Sequence, residues 1–567
     1  MNGTTRQEET LILEYDLFSL PTAQHKAGLA GLLVMITTLV DRKMTPLPTI
    51  EDLTPTNARI AFTQDSLQAV FDDLYAAGWI EVESKEPRQR QEPKFVKEIS
   101  VEVKGKSKIE KRFVYDAVQP KGEFLQALFP DGDGAWVKLW RDMLWRTLRG
   151  IPATRRVYKE RAEGRRSSLG ELFWILLQDS FRKRNKGKSR TDGFSSSLFV
   201  GAEDANAERV PFKGTVENNL LLHFWPIVSM IFVPRILSRE KSNDQEWPMK
   251  RTESGFVLAI PEPSHLQFFC DDAREMLRSL EPDVEGLRPK AALIDLYEEG
   301  GLEFLYQFSK QKIQELDTIN FSLGSVELYH LQKQGNRIRN LAAERIVPHS
   351  AVLRDYAGLR KYSRNPLFRS LYVRNLLHGR KWYEKSDDTL QKHPLPFFIY
   401  NRIETPRGIS FFGNDVRFRF SLMEYGMKNK TEGGSMSEED RDDQLALRVY
   451  RLVQNYVNYR TEEKSGKKFK DFRNRRDDKQ RIIYPQEYRE ARERVCSDAF
   501  LAMRGRRDQD FTEYFAGTVC SVPHYMSEAD YLAVSGALMN DWERIKILSM
   551  LALSAHSYLS PNESEEV

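Results

Sequence analysis

The chain has 567 residues, 40% of them hydrophobic and 30% charged, so it is long enough for about two to four domains and is not intrinsically disordered. Its formal net charge is only +4, which excludes a uniformly basic coat; any nucleic-acid surface must come from local clusters of Lys and Arg. The three cysteines, Cys270, Cys496 and Cys520, are widely spaced, which disfavours a disulfide framework and fits a reducing cytoplasm.

Two features bear on membrane targeting. The first ten residues are polar and acidic, unlike a signal peptide. The apolar runs 29–40 and 220–237 are too short or are interrupted by Pro226 and Pro234, whereas a membrane span needs about 20 apolar residues. Both runs therefore predict buried core, and we expect a cytoplasmic protein without membrane contact.

The N-terminal elements begin with a predicted strand over 11–17. A helix over 23–39 follows, with Thr22 as its N-cap. This helix carries Gly28 and Gly31 among alanines, and each glycine costs a helix about 1 kcal/mol relative to alanine. Small residues at this spacing predict that another backbone packs closely against the helix.

An amphipathic helix over 64–77 precedes three predicted strands, over 79–83, 95–103 and 109–118. The last two strands are joined by a basic turn. A helix followed by a basic hairpin is typical of a winged-helix module, and equally of an ordinary α+β subdomain. We adopt the second interpretation.

The first strongly basic stretch runs from 149 to 190, around an apolar helix over 169–177. Its end is polar and contains glycine, which predicts a loop able to follow a phosphate backbone. We predict duplex DNA contact by its cations, which are Arg182, Lys183, Arg184, Lys186, Lys188 and Arg190. Asn218 and Asn219, beside a predicted core strand, are candidates for reading base edges, although a turn or cap role is the alternative.

The middle of the chain predicts core strands over 220–233 and 255–260 and helices over 266–280 and 301–314. A second basic stretch, 333–381, interleaves arginines with aromatic residues, a composition typical of a nucleic-acid channel. The residues predicted to line a channel for RNA or a displaced strand are Arg337, Arg339, Arg360, Arg364 and Arg374. Residues 401–420 alternate in a strand-like manner.

The junction segment, residues 431–437, contains Gly433, Gly434 and Met436 and predicts a linker. Beyond it we predict helices over 440–460, 486–504, 511–519, 527–539 and 542–558. A basic connector lies between the first two helices, and we expect it to hold RNA or single-stranded DNA through Lys467, Lys468, Lys470, Arg473, Arg475 and Arg476.

These elements predict an α+β fold. A mixed α/β body with basic helices would be followed by an all-α bundle of four or five helices. The predicted domains are an N-terminal α+β domain (1–150), a central α/β body with the basic channel (151–430) and the helical bundle (436–567).

No catalytic or cofactor motif is evident. The chain lacks a Walker loop, a Gly-x-Gly-x-x-Gly after a strand, a paired-histidine metal motif and a Gly-x-Ser-x-Gly elbow. We therefore expect a binding protein without cofactor, metal or enzymatic activity. Two alternatives stay open: a nuclease with a dispersed carboxylate site, and a winged-helix regulator that uses residues 64–118.

Residues 20–33, Leu-Pro-Thr-Ala-Gln-His-Lys-Ala-Gly-Leu-Ala-Gly-Leu-Leu, resemble the N-terminal signature of the large subunit of type I CRISPR Cascade complexes, in the I-B-like, myxobacterial-subtype branch. Segments 145–152 and 365–368 are consistent with this resemblance, as are the chain length and the order of a mixed body followed by a helical tail. The resemblance covers the whole chain.

The resemblance implies that guide RNA reads the target while this subunit recognises a protospacer-adjacent motif in duplex DNA and starts its unwinding. Implied partners are the guide RNA, the target duplex, the displaced strand, the backbone and small subunits, and a helicase–nuclease or a transposition adaptor.

The resemblance also gives the junction segment a second interpretation. In related systems the small subunit arises by internal translation of the large-subunit gene. Codons for Glu432-Gly433-Gly434 can spell a purine-rich ribosome-binding sequence just before Met436. The bundle is therefore a candidate for a separate small subunit that starts at Met436.

Overall fold

The structure, a computed structural model, describes residues 9–559. The exceptions are residues 90, 104–105, 146–151, 188–189, 194–197, 201–212, 240–248, 311–321, 335–336, 431–437, 478–479 and 523–526. The chain forms two compact units. The first comprises Met1–Arg235 and Glu253–Leu353, and the second comprises Ile236–Thr252 and Arg354–Val567.

The first unit opens with a three-stranded antiparallel sheet. Strand β1 (Leu11–Asp16) and strand β2 (Thr49–Leu53) flank β3 (Asn57–Phe62). The strand predicted over 11–17 is thus confirmed. Helix α1 (Ala23–Asp41) follows β1 and precedes β2 along the chain, and its N-cap is Thr22, as predicted.

Helix α1 is the central core helix of this unit. Within the described residues it alone is long and apolar enough to cross a membrane, but 83% of its apolar window is buried inside the protein. A Cβ on Gly28 would lie 2.2 Å from the carbonyl oxygen of Leu221, and one on Gly31 would lie 2.1 Å from that of Phe224. The predicted close approach of another backbone is confirmed, and the glycines are required by it.

Helix α2 (Gln64–Leu74) begins at a capping box formed by Thr63 and Ser66. The next sheet has the order β4-β6-β5, built from β4 (Ala77–Ser84), β5 (Phe95–Val103) and β6 (Lys106–Pro120). These are the three strands predicted from sequence. The middle of the basic turn, residues 104–105, lies outside the described residues.

Short helices then build the region around the first basic stretch. They are α3 (Glu123–Gln126), α4 (Ala135–Met143), α5 (Pro152–Ala162), α6 (Ser168–Arg184), α7 (Val216–Leu221) and α8 (Trp225–Val228). Strands β7 (Thr191–Gly193) and β8 (Lys213–Thr215) pair between α6 and α7.

The predicted strand over 220–233 is wrong in its first part, because the end of α7, a turn and α8 occupy it as far as Val228. The Thr215 hydroxyl caps α7, and Pro226 occupies the first turn of α8, where proline is well tolerated. A continuous apolar run has no periodicity that separates a buried helix from a buried strand.

The largest sheet follows. In the first unit its order is β9 (Met230–Arg239), β11 (Phe256–Pro263), β15 (Leu323–Gln334) and β16 (Arg337–Ile346), all antiparallel. Strand β10 (Met249–Glu253) pairs with the distal part of β9, which belongs to the second unit. Smaller strands are β12 (Val284–Glu285), β13 (Arg288–Pro289) and β14 (Leu293–Ile294), the last parallel to β9. Helix α9 (Leu266–Ser279) matches the prediction, and α10 (Glu299–Ser309) confirms the helix predicted over 301–314 as far as Ser309; residues 311–314 lie outside the described residues.

The described part of the second unit is mainly helical, apart from the paired ends of β9 and β10 and one isolated β-bridge between Arg476 and Ile482. Its helices before the junction segment are α11 (Ser350–Tyr362), α12 (Pro366–Leu377), α13 (Ser386–Lys392) and α14 (Phe412–Lys430). The strand-like interpretation of 401–420 is wrong, because no strand forms there and α14 begins at Phe412. Phe412, Val416, Phe420 and Met423 are all buried, at the spacing of one helix face.

The predicted bundle after the junction segment is confirmed by α15 (Glu438–Ser465), α16 (Gln486–Gly505), α17 (Asp508–Tyr514), α18 (Glu528–Asn540) and α19 (Trp542–Ser557). The α+β fold class is confirmed as a whole. The junction segment itself lies outside the described residues.

Helix α14, which precedes the junction segment, packs against α15 and α19 within the same unit. The limits of the two compact units therefore differ from the predicted domain boundaries at residues 150 and 430. The division into domains 1–150, 151–430 and 436–567 remains a prediction about parts that fold separately.

Candidate nucleic-acid interface

The predicted DNA-binding cations lie at the end of α6 and just beyond it. Residues 182–184 form the last turn of the helix and 185–187 form a turn, so the predicted loop is half helical. We call Arg182, Lys183, Arg184, Lys186 and Arg190 the α6 cluster. Arg182, Arg184 and Lys186 are exposed, whereas Lys183 and Arg190 are half-buried. Lys188 lies outside the described residues.

Carboxylates neutralise much of the α6 cluster. Lys183 Nζ lies 2.9 Å from Asp179, and Arg190 contacts both Asp179 and Asp192. The hydrogen bond from Lys183, followed by that from Arg190, holds the pKa of Asp179 below its usual range. Arg184 pairs with Glu217. Among the described residues, Arg182 and Lys186 have no ion pair with a carboxylate.

A cleft of about 540 Å³ adjoins this cluster. Arg184, Arg190 and Asn218 line it, together with the carboxylates of Glu14, Asp16 and Glu217. Because the acidic side chains outnumber the two guanidinium groups, the cleft interior disfavours a phosphate. Phosphate contact by this cluster is favoured at Arg182 and Lys186, which are exposed and do not line the cleft; we call these two residues the rim of the α6 cluster.

Asn218 and Asn219 lie on α7 rather than beside the predicted core strand. The Asn218 backbone N–H donates to Thr215 Oγ1 at 3.2 Å, so this position serves the helix cap. Asn219 is buried, with 7% of its surface exposed, and its Nδ2 donates to the Asp192 carbonyl oxygen at 3.1 Å. Its Oδ1 has no hydrogen-bond partner among the described residues.

The polar residues of the 20–33 segment hold neighbouring elements together. The Gln24 side chain donates to Val200 O and accepts from Val200 N, at 2.8 and 2.9 Å. Lys26 forms a 2.8 Å ion pair with Glu262. His25 contacts Thr22 Oγ1 at 2.7 Å, and burial lowers the pKa of its imidazole to about 4. These contacts assign the segment a packing role.

The predicted channel residues are divided between the two units. Arg337 and Arg339 belong to β16 in the first unit, where the exposed Arg339 donates to Gln334 Oε1 at 2.9 Å. Arg360, on α11, and Arg374, on α12, belong to the second unit, and Arg364 lies between those helices. Arg364 and Arg374 are exposed.

A buried carboxylate supports the turn at Arg364. Asp415 Oδ2 accepts from the backbone N–H groups of Arg364 and Asn365, at 2.8 and 2.7 Å. The Asn365 side chain caps α12 and donates to Ser410 O. Burial nevertheless raises the pKa of Asp415 to about 6. This role was not predictable from the sequence, because Asp415 is 51 and 50 residues from Arg364 and Asn365.

The basic loop, residues 466–485, is the most exposed cationic surface among the predicted sites. All six of its predicted nucleic-acid ligands are exposed: Lys467, Lys468, Lys470, Arg473, Arg475 and Arg476. In the described part of the chain none of them is ion-paired with a carboxylate, although Arg476 donates to Gln480 O. These side chains are therefore available to phosphates.

Aromatic residues fix the shape of this loop. Phe472 contacts Phe469, Tyr484 and Tyr488 with ring centroids 5.5, 5.9 and 4.9 Å apart. Phe472 and Tyr488 are buried, and Phe469 is 36% exposed. The sequence analysis did not predict this aromatic base. The pattern that could have indicated it is Phe469-x-x-Phe472 followed by Tyr484 and Tyr488.

Chemically reactive groupings are sparse. No group of three or more His, Cys, Asp or Glu residues able to hold a metal occurs among the described residues. Cys270 and Cys496 are buried, and burial raises the pKa of both thiols, that of Cys496 to about 12.

Comparison with known proteins gives the chain its class. The profile of the Type I-B CRISPR Cas8b N-terminal domain matches residues 47–318, and that of the Type I-B CRISPR Cas8b C-terminal domain matches residues 323–556. Matches that cover nearly the whole chain define a component of a type I CRISPR Cascade complex, which contains other subunits.

More specifically, the chain belongs to the Cas8b family, the large subunit of type I-B Cascade. No curated protein matches it significantly. Residues 20–33 precede the matched region, so other parts of the chain independently confirm the resemblance found there.

Proposed function

We propose that this protein is the non-catalytic large subunit of a cytoplasmic type I-B surveillance complex. In this role it recognises the protospacer-adjacent motif in duplex DNA, promotes R-loop formation, and holds guide RNA and the displaced strand. It also recruits the effector, a helicase–nuclease or a transposition adaptor. Internal initiation at Met436 would supply the bundle separately as the small subunit.

The basic loop carries this proposal. Six exposed cations on an aromatic base form a surface that follows a phosphate backbone without requiring a sequence. Because the cations lack carboxylate partners among the described residues, no internal ion pair has to break when a strand binds. We assign guide RNA or the displaced strand to this loop.

Duplex contact beside the adjacent motif is assigned to the rim of the α6 cluster. Arg182 and Lys186 are exposed and are not ion-paired with any described carboxylate, unlike Lys183, Arg184 and Arg190. We therefore expect the two rim residues to contribute more to DNA affinity than the paired cations do.

The experiment compares duplex opening by the complex reconstituted with guide RNA and either wild-type protein or the Arg182→Glu/Lys186→Glu variant. Permanganate reactivity of unpaired thymines reports opening. Two charge reversals at phosphate contacts should lower opening of a closed, matched target by about tenfold or more. The variant complex should bind a target with a pre-opened bubble nearly as well as the wild-type complex does.

The matched control is Lys138→Glu/Lys290→Glu, which reverses two exposed lysines of the same unit outside every predicted interface. Subunit stoichiometry is measured for each complex, so that an assembly defect is recognised. If opening of the closed target is unchanged in the rim variant, the assignment of the α6 cluster to duplex DNA is wrong.

The winged-helix alternative receives no support from the charges on its sheet. Lys94 pairs with Glu81, Lys97 with Glu83, and Lys111 with Glu98. The nuclease alternative predicts metal-dependent cleavage by the purified protein that is lost on mutation of one or two carboxylates. We expect no such cleavage.

A further inference from the structure

An apolar cavity of about 210 Å³ lies between α6 and α7, beside the Gly193 end of β7. Its walls include Leu169, Leu172, Phe173 and Leu176 of α6 and Val216 of α7. Leu172, which is 47% exposed, lies at its rim. This α6–α7 cavity is distinct from the charged cleft described above, and among the described residues Asn219 is the predicted nucleic-acid contact that lines it.

Asn219 gives this cavity a hydrogen-bond acceptor. The side chain is more than nine-tenths buried and lines the cavity, and its Oδ1 has no hydrogen-bond partner in the part of the chain that the structure describes. The amide orientation is fixed, because Nδ2 donates to the Asp192 carbonyl oxygen, which cannot accept from Oδ1. Buried acceptors are nearly always paired, so this oxygen requires an explanation.

The far wall is rigid and uncharged. His223 Nδ1 lies 2.7 Å from Tyr75 Oη, and burial lowers the pKa of the imidazole to about 3, so that the ring is neutral. Phe173 meets His223 edge-on at 5.2 Å and stacks on Phe71 at 5.4 Å. The cavity therefore offers largely apolar walls with Asn219 Oδ1 as a fixed acceptor; Thr154 and Asp192 also line it, and the Asp192 carboxylate is paired with Arg190.

We propose that the α6–α7 cavity receives one unstacked nucleobase, whose edge N–H donates to Asn219 Oδ1. Every nucleobase carries such a donor, on N3 of uracil and thymine or on the exocyclic amines of adenine, cytosine and guanine. Apolar and aromatic walls with an edge hydrogen bond are how proteins hold bases removed from a stack. A single bound water would satisfy the oxygen but would leave the apolar volume unexplained.

This inference rests on the proposed function, which brings unstacked nucleotides to the protein. They come from two sources, the guide RNA and the displaced DNA strand. The shared chemistry is a base with an N–H edge, and the two sources are separated by experiment.

The test places one photoreactive base at a time in the complex assembled from the full chain. 4-Thiouridine is scanned through the guide RNA in one arm, and 5-iododeoxyuridine through the displaced strand in the other. Both analogues retain the N3–H that Asn219 would accept. After irradiation, mass spectrometry identifies the cross-linked peptide, and target binding is measured in the same samples.

We expect one nucleotide position, in one arm, to cross-link within residues 169–176 or 216–223. The Leu172→Trp variant, which fills the cavity from its rim without disturbing the core, should lose this cross-link. Ile175→Trp, the same change at an exposed residue of α6 outside the cavity lining, should retain it.

Absence of a cross-link to these peptides from every position, while the complex still binds its target, overturns the inference and leaves the proposed function intact. A cross-link that survives in Leu172→Trp also overturns it. Failure of the complex to bind guide RNA and target refutes the proposed function, and the inference falls with it.

Discussion

At the scale of single residues, Gly28 and Gly31 set the distance between α1 and the α7–α8 backbone. A methyl group at either position would overlap a carbonyl oxygen, at 2.2 or 2.1 Å. We expect Gly28→Ala and Gly31→Ala each to destabilise the first unit by about 1–3 kcal/mol, even though alanine favours a helix by about 1 kcal/mol. Thermal unfolding of the purified protein measures the change.

The control for these variants is Gly358→Ala on α11. A Cβ at this position meets no atom within 4 Å, so only the helix preference remains and stability should be unchanged or slightly raised. Equal unfolding temperatures for the Gly28→Ala variant and wild type would contradict the close packing.

Asp415 predicts a pH dependence of stability. Burial raises its pKa in the folded protein to about 6, above its value in the unfolded chain. Folding therefore favours the protonated carboxyl. This contribution to stability is fully present below about pH 4 and is lost as the pH rises through about 6.

Asp415→Asn keeps an oxygen acceptor for Arg364 N and Asn365 N but removes the titration. We expect the stability difference between variant and wild type to change by on the order of 1–3 kcal/mol between pH 4 and 7, in favour of the variant at the higher pH. Denaturant titrations at both pH values measure it. Parallel pH profiles would show that Asp415 does not titrate in this window.

Sequence reasoning identified the basic residues of the sites but not their partners. Asp179 is four residues from Lys183 and could be paired with it by helix spacing. Glu217 is 33 residues from Arg184, and only the tertiary fold brings them together. The number of Lys and Arg residues in this stretch therefore overestimated the net positive charge of the α6 cluster, because carboxylates distant in the sequence neutralise part of it.

At the scale of elements, amphipathic helices and hairpins were predictable because their periodicity is visible in the chain. The failures were the apolar run that became α7 and α8, and the segment containing α14. In α14 the buried positions do follow a helical period, but intervening Phe418 and polar residues imitate strand alternation. Tertiary burial decides between such patterns.

The basic loop predicts how binding depends on salt. Lys467→Ala/Lys468→Ala/Lys470→Ala should lower affinity for single-stranded nucleic acid and reduce the slope of log affinity against log salt. Each lost phosphate contact lowers this slope by about 0.7. Fluorescence anisotropy at several salt concentrations measures both quantities.

The matched control replaces the three ion-paired lysines of the β4-β6-β5 sheet, Lys94, Lys97 and Lys111, by alanine. Their charges are already balanced, so we expect little change in the slope. A larger effect of this control than of the loop variant would favour the winged-helix alternative.

At the scale of the whole molecule, the boundary between the two matched family regions does not coincide with the boundary between compact units. The C-terminal match starts at residue 323, yet β15 and β16 complete the sheet of the first unit through pairing with β11. A cut at residue 320 would leave β11 with an unpaired edge, a template for aggregation.

Internal initiation at Met436 would produce a second, shorter polypeptide. Met436→Leu should remove a polypeptide of residues 436–567 from the purified complex, whereas Met539→Leu, on the exposed face of α18, should leave it in place. Denaturing electrophoresis with mass spectrometry detects the product. Its absence from the wild-type complex would end the hypothesis of internal initiation.

Such a product would lack α14, whose Arg417 donates to the carbonyl oxygens of Ala555 and Tyr558 at the end of α19. Phe420 of α14 also stacks on Tyr450 at 4.3 Å. Without these contacts a buried surface of the bundle is uncovered. We therefore expect the short product to be found bound within the complex rather than as a free monomer.

We propose above all that this chain gives the complex its recognition of the adjacent motif. The most direct measurement is the ratio of affinities for two duplex targets that differ only in that motif, with complexes assembled with and without the chain. We predict a ratio well above one with the chain and close to one without it. An undiminished ratio in the absence of the chain would show that another subunit recognises the motif.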